Sequence, residues 1–487
     1  MLVGYTYGFD CAAALVAPPR CVQLCTTRWL DVTIIGRISD RLRDVHPALF
    51  NGYAASAAFA TYFCMYAFRK PFAAAKYGDV DWGSDVEFKT ALVIAQILGY
   101  AASKYLGIKV CSEASRGRRA ALLVGLILAA EAALVLFAVV PPRAKVVALF
   151  LNGLPLGMVW GLVVRYLEGR QTSELLLAVL SCSFIVSSGV VKDVGRALLA
   201  GTAPFGIEML VWPSPVPEFW MPAATGLMFL APFLAAVGLL ELLPEPSPLD
   251  VAERMQRPPL DGSARRRFLR RFFPGIASLV ACYMLLTAFR DYRDNYMVDV
   301  LDELQGAGRT HPQALSAIET SVAIAVLAVM ACLFAIKNHR RALATIFGIM
   351  FAGAALLGCA TALWRNGAID GSMWVTLLGL GVYLAYVPFN ALLFDRIMAS
   401  TRFAGTAVFA IYVADSAGYS GSVAMQLYKD LYAPQASRSE FLAWFAGLAS
   451  VVGLTTLAAA GLYFDRKSAS VRTPSHVDGT QHSLLSP

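Results

Sequence analysis

The chain has 487 residues, 57% of them hydrophobic and only 15% charged, with a formal net charge of +8 and a mean hydropathy of +0.59. Soluble domains carry about a quarter of their residues as charges, so this composition excludes an ordinary soluble protein and implies an integral, multi-pass membrane one. The positive balance gathers in the connections between apolar runs, which accounts for it without nucleic-acid binding.

A helix needs about 20 mostly apolar residues to cross a hydrocarbon layer of roughly 30 Å. The arginine-rich segment 1–49 has no such run and no cleavable leader pattern, and it reads as a tail. Twelve stretches then qualify, all predicted helical: 51–75, 90–108, 120–141, 146–165, 174–196, 220–243, 272–290, 314–336, 342–363, 372–394, 403–427 and 441–463. Lys104 interrupts the second, Lys192 and Asp193 lie in the fifth, and Asp415 in the eleventh. Residues 244–271, rich in proline and arginine, read as a linker between two six-helix bundles, 50–243 and 272–464, and 465–487 as a Ser-rich tail. Placing both termini in the cytoplasm puts the majority of connecting lysines and arginines inside, as short loops require. The expected fold is therefore all-α, with twelve transmembrane helices in two pseudo-symmetric halves.

An internal repeat supports the halves. "AFR" at Ala67–Arg69 recurs at Ala288–Arg290, and "RRA" at Arg118–Ala120 recurs at Arg340–Ala342, each pair at nearly the same offset. Tyr62, Tyr66 and Arg69 share one helix face, and the offset maps them onto Tyr283, Thr287 and Arg290. Two arginines at equal depth, one from each half, suit an anion held between guanidinium forks. The same positions also allow both arginines to lie at helix ends and snorkel to the headgroups.

"YFCMYAFRKPFAAAKY", "GYAASKYLGIKVCSEASRGRRA" and "MLLTAFRDYRDNYMVDVL" resemble helix one, the helix two to three segment and helix seven of the organophosphate:phosphate antiporters. That branch of the major facilitator superfamily includes glycerol-3-phosphate and hexose-phosphate transporters. The resemblance implies the major facilitator fold for Pro47 to about Asp465, a phosphate-binding role for Arg69 and Arg290, and a supporting one for Lys104. It also implies a state-dependent cytoplasmic clasp around Glu113, Arg118 and Arg119, although Ser112-Glu113 stands where the superfamily has Ser-Asp. The family's helix-five histidine has no counterpart in "SCSFIVSSGVVKDVG". The pattern resembles as well an uncharacterised superfamily group known only as a domain of unknown function, from which no activity carries over.

Asp415 admits three roles: a salt bridge to Arg69, Lys104 or Lys192, a proton-coupling site, or a substrate contact. Lys192 and Asp193 read as a local pair near the outer surface, and Glu131 on helix three has no evident partner. "NGLPLGMVWG" and "YVPFNALLFDR" place prolines inside helices four and ten, at positions suited to bending. The nine cysteines show no C-x-x-C pair, and five of them, Cys64, Cys182, Cys282, Cys332 and Cys359, read as packing residues within helices. All five histidines fall in predicted loops or tails, and neither H-E-x-x-H nor G-x-S-x-G occurs, so no enzyme, metal or cofactor is expected.

The expected function is a secondary active transporter, monomeric in the bilayer, that moves an anionic small solute such as phosphate or a phosphorylated metabolite, as an antiporter would. Tyr62, Tyr66 and Thr287 would shape the pocket around Arg69, Arg290 and Lys104. The alternatives are a proton-coupled carrier of a carboxylate or other solute using Asp415, and a transporter-like nutrient sensor that signals through its tails.

Overall fold

The computed structural model describes residues 39, 41–78, 80–113, 116–170, 172–208, 214–246, 262–306, 310–334, 336, 338–401 and 408–470. Most of the expected tails, and the middle of the expected linker, lie outside these residues.

Twelve long helices follow one another: α1 Pro47–Met65, α2 Phe88–Glu113, α3 Arg116–Val139, α4 Pro142–Leu167, α5 Ser173–Ala200, α6 Met221–Glu241, α7 Gly262–Asn295, α8 Ala314–Phe334, α9 His339–Arg365, α10 Gly371–Pro388, α11 Val408–Tyr432 and α12 Arg438–Ser470. Nine of the described helices are individually long and apolar enough to cross a membrane. Helices α1, α2 and α11 bring Tyr62, Lys104 and Asp415 into the interior.

Packing repeats after six helices. In the first half α1 lies against α5 and α6, α3 against α4 and α6, and α2 against α4; in the second, α7 lies against α11 and α12, α9 against α10 and α12, and α8 against α10. The halves meet along α5 with α8 and α2 with α11, which the same two-fold exchanges. This is the major facilitator architecture that the spans and the repeat pointed to. Depth follows from it: 78% of the most apolar stretch of α10 is buried against 39% of that of α9, an inner helix against a lipid-facing one.

Two boundaries differ from the sequence expectation. Helix α7 begins at Gly262, inside the stretch read as linker, and bends at Phe272, where φ is −114° and ψ 16°, just before Pro274. The arginines at 266, 267 and 270 are exposed, so this first part is a solvated helix that hydropathy does not register. Helix α10 runs on past Pro388 through a π-helical turn, Phe389–Leu393, into Phe394–Thr401. Proline removes a backbone donor and crowds the preceding turn, and the wider turn absorbs this.

The end of α1 sets up the interior. Expected to continue to residue 75, it stops at Met65 and passes through a 3₁₀ turn, Tyr66–Phe68, to Arg69 and Lys70, followed by a second 3₁₀ turn, Pro71–Ala74. Pro71 cannot donate, and it opens the second turn from Lys70, whose φ is −106° and ψ −15°. The carbonyls of Phe68 and Arg69 are thereby left without helical partners in the middle of protein, where no bulk water can serve them. Side chains take over: Asn152 Nδ2 donates to Phe68 O and Ala130 O (both 3.0 Å), and Gln96 Nε2 donates to Arg69 O and to Asn152 Oδ1 (both 2.8 Å). Asn152 and Gln96 reach this point because α4 presses on α2 at Gly153 and Gly157. A Cβ at Gly157 would come within 2.6 Å of Tyr100 O, so only a glycine fits there.

Replacing Asn152 by leucine, close in shape but without polar atoms, orphans the Phe68 carbonyl and takes an acceptor from Gln96, and a buried group left unpaired costs about 1–3 kcal/mol. We expect a clearly lowered Tm in detergent by intrinsic fluorescence. An unchanged transition would mean that this side chain does not hold the end of α1.

Candidate functional site

Arg69 hangs from that broken end into the space between the halves and is 7% exposed. Its guanidinium carbon lies 4.0 Å from the centre of the Tyr100 ring and 5.6 Å from that of Tyr66, and Nη1 donates to the Tyr66 hydroxyl at 3.5 Å. Its Nε has no hydrogen-bond partner, and among the described residues no carboxylate lies within ion-pairing distance. The charge is therefore held by aromatic faces, each contributing about 0.5–2 kcal/mol, and by the Tyr66 hydroxyl.

Arg290, its repeat counterpart, approaches from α7. Its side chain is 13% exposed and pairs with its own neighbour Asp291 at 2.7 Å, while its plane covers Tyr386 at 4.4 Å. Ser422 on α11 donates to the other oxygen of Asp291 at 3.0 Å, which keeps that carboxylate turned toward α11. Tyr66 interacts electrostatically with both predicted arginines, Arg69 and Arg290.

Lys104 completes the cluster from α2. It sits 5.5 Å from the Tyr100 ring and 3.4 Å from Asp415 Oδ2 on α11, an ion pair across the two halves. Asp415 also accepts from the Tyr283 hydroxyl at 2.5 Å, and that hydroxyl is 2.9 Å from the hydroxyl of Tyr386. A continuous polar path thus runs from Lys104 through Asp415 and two tyrosines to the ring under Arg290. Tyr62 borders it through its hydroxyl, 3.5 Å from that of Tyr100. Thr287 is buried with Oγ1 unpartnered and packs on Gly418, where a Cβ would meet Oγ1 at 2.8 Å.

One end of the molecule is shut. Asp294 on α7 takes Lys70 Nζ at 2.6 Å and Lys192 Nζ at 2.8 Å, and Ser188 donates to the same carboxylate. Around it, Lys89 pairs with Asp299 and Lys76 with Asp302, both at 2.6 Å, Thr90 meets the Tyr296 hydroxyl at 2.9 Å, and Arg438 pairs with Glu87. All of these join the first half to the second on the face away from the start of α1 and the end of α12, the distal face. On the opposite face, among the described residues, Arg396 with Glu174 at 2.9 Å is the ion pair between halves. The structure is thus a distally closed conformation.

Lys192 and Asp193 do not form the local pair that their adjacency suggested. Successive helical residues point about 100° apart. Lys192 reaches Asp294, whereas Asp193 accepts from Arg196 at 3.2 Å and from the Ser316 backbone at 2.8 Å. Of the expected clasp, Arg118 and Arg119 open α3, and Arg119 donates to Arg165 O at 3.3 Å; the Glu113 side chain lies outside the described residues. Sequence reading passed over Tyr100, Tyr386 and Asp294. A tyrosine in an apolar helix carries no warning of its role, and Asp294 was hidden in the polar run "RDYRDNY". In charge terms the interior is lopsided: Arg290 has Asp291, Lys104 has Asp415, Arg293 has Glu319 at 2.8 Å, two lysines share Asp294, and Arg69 has no carboxylate.

Comparison with known proteins places this arrangement. Residues 71–467 match the model of a Family of unknown function (DUF5690), a span that begins just past Arg69 and takes in Lys104, Arg290 and Asp415. No curated protein matches the sequence. Among solved structures, a peptide transporter POT in complex with alafosfalin is similar over 86% of this chain and 95% of its own, at 16% identity and a TM-score of 0.53. A D-xylose-proton symporter is similar over 84% and 96%, at 13% identity and a TM-score of 0.52. A POT family transporter in complex with a thioalcohol-conjugated peptide covers 86% and 96%, at 12% identity and a TM-score of 0.54. At these identities the likeness shows the fold.

If Asp294 holds the distal face closed, Asp294→Asn should loosen it. With a cysteine in place of Thr90 as reporter, labelling by a membrane-impermeant maleimide from the distal side should rise severalfold in the Asp294→Asn background. Equal labelling would place the closure elsewhere.

Proposed function

We propose a function for this chain, which belongs to the Family of unknown function (DUF5690): it is a secondary active transporter that carries a small anion, phosphate or a phosphorylated metabolite, by alternating access between its two halves. The observation that carries this reading is Arg69, a buried guanidinium in the middle of the bundle with a donor unpartnered and no carboxylate beside it. An embedded cation is costly and calls for a counter-charge, and phosphate oxygens match the guanidinium fork in both spacing and charge. Similarity of fold to peptide and sugar carriers supports carriage of a solute; the substrate class rests on the charges alone.

The geometry suggests how binding would move the halves. An anion between Arg69 and Arg290 draws together groups that otherwise repel. Its oxygens also compete with Asp415 for Lys104, so substrate would replace an ion pair between α2 and α11 by contacts of its own. Opening the distal face separates Lys70 and Lys192 from Asp294, and a ligand can assist only through contacts that differ between the two states. The face at which α1 starts and α12 ends is the cytoplasmic one on the charge rule, and the carrier acts as a monomer.

Asp415 supports a second reading. Once substrate occupies Lys104, the carboxylate keeps the Tyr283 hydroxyl and is placed to accept a proton, as a proton-coupled carrier requires.

Phosphate counterflow into phosphate-loaded proteoliposomes tests the main reading. Arg69→Ala and Arg290→Ala should each lower exchange about 10- to 100-fold, the worth of one charge-assisted contact, and Arg69→Lys should recover only part, because lysine lacks the fork. Sugar phosphates should compete. Absence of exchange in the wild type, or exchange indifferent to both arginines, overturns the proposal, and loss of gradient-driven uptake alone in Asp415→Asn favours the second reading.

A further inference from the structure

Glu131 stands apart from every ion pair described above. It lies on α3, about 12 Å along the axis from the helix end at Val139, and is 6% exposed. Among the described residues neither carboxyl oxygen has a hydrogen-bond partner. Its surroundings are apolar by construction. On α6 it meets Gly226, where a Cβ would come within 3.2 Å of the Glu131 carboxyl carbon and 3.0 Å of a Phe68 ring carbon, so the missing side chain is what makes the slot.

Among the described residues, no charged group pairs with it from the elements packed around α3. Arg69 adjoins Phe68, but its guanidinium is turned onto Tyr100. On α4, Lys145 is taken by Phe137 O at 2.6 Å and Ala138 O at 3.1 Å, and α6 offers Gly226. An unpaired carboxylate in such a site would cost several kcal/mol, whereas a neutral carboxylic acid is tolerated.

The slot is also wired to the anion site. Asn152 Nδ2 donates to Ala130 O, the carbonyl just before Glu131, and to Phe68 O, the carbonyl just before Arg69. Movement of the end of α1 therefore shifts Phe68, which borders the same slot at Gly226, and Arg69 together.

We propose that Glu131 is a proton-binding site, neutral in this distally closed conformation, whose proton is released and rebound when the end of α1 moves. The use of that proton in driving solute flux rests on the transport reading; the site itself does not.

Infrared spectroscopy of the full chain in lipid tests the site directly. The wild type should show the carbonyl stretch of a buried neutral carboxylic acid, absent in Glu131→Gln, and the band should weaken at high pH or when a distal-opening substitution, Asp294→Asn, is introduced. Should Glu131→Gln fail to fold, Glu131→Asp keeps the carboxyl and must move the band. A spectrum without such a band, or one identical in the variants, overturns the proposal. In proteoliposomes, Glu131→Gln should keep phosphate exchange and lose accumulation driven by an imposed proton gradient; accumulation that survives overturns the coupling role. A wild type that moves no phosphate would sink the transport reading while leaving the infrared result to decide the proton site.

Discussion

Everything in the interior depends on α1 ending inside the protein. A helix stopped within the bilayer leaves carbonyls that neither water nor lipid can satisfy, and such an end persists only where other side chains cap it. Asn152 and Gln96 do so, each bridging α1 to a second element as well, and they can because glycines let α4 lie directly on α2. The same contact places Tyr100 beneath Arg69. Cap, ring and cation are thus consequences of a single break, itself enforced by Pro71.

The two-fold pseudo-symmetry of the packing does not extend to the charges. The repeat sets Arg69 opposite Arg290, but the next residue is Lys70 in one half and Asp291 in the other. Arg290 therefore carries its counter-ion with it, whereas Lys70 must find one across the interface, at Asp294. This asymmetry converts a symmetric scaffold into a lock on one face. A carboxylate shared by two ammonium groups is a strong but easily divided node, since either lysine can leave while the other keeps the charge satisfied.

How much of this was legible in the sequence follows from the range of the interactions. Spans, halves and the repeat are written in local hydropathy and short matches, and they correspond to the helices and to their packing after six. Arg69 and Arg290 stood out because charge is rare in apolar runs. Partners were harder. Lys192 beside Asp193 invited a local pair, yet helical geometry turns adjacent residues apart, and the carboxylate that Lys192 reaches lies a hundred residues away. Asn152 stood in a stretch read for its proline, because its own role depends on the backbone of α1 and not on its sequence neighbours. The start of α7 at Gly262 was missed because an exposed, arginine-rich turn carries no apolar period.

The bias of the interior toward positive charge constrains the transport cycle on the proposed reading. With no anion bound, Arg69 relies on the faces of Tyr100 and Tyr66, which contribute a few kcal/mol at most against the cost of an embedded cation. Any rearrangement that passes through a fully closed state must carry this charge further from water. A bound phosphate removes that cost by supplying the missing counter-charge, so the loaded protein crosses between faces more readily than the empty one. Exchange of one anion for another is then favoured over net flux. A proton on Glu131 leaves Arg69 charged and so does not replace the anion. It relieves a different burden, the exposure of a carboxyl beside Phe68, and the two ligands ease separate parts of the same movement of α1.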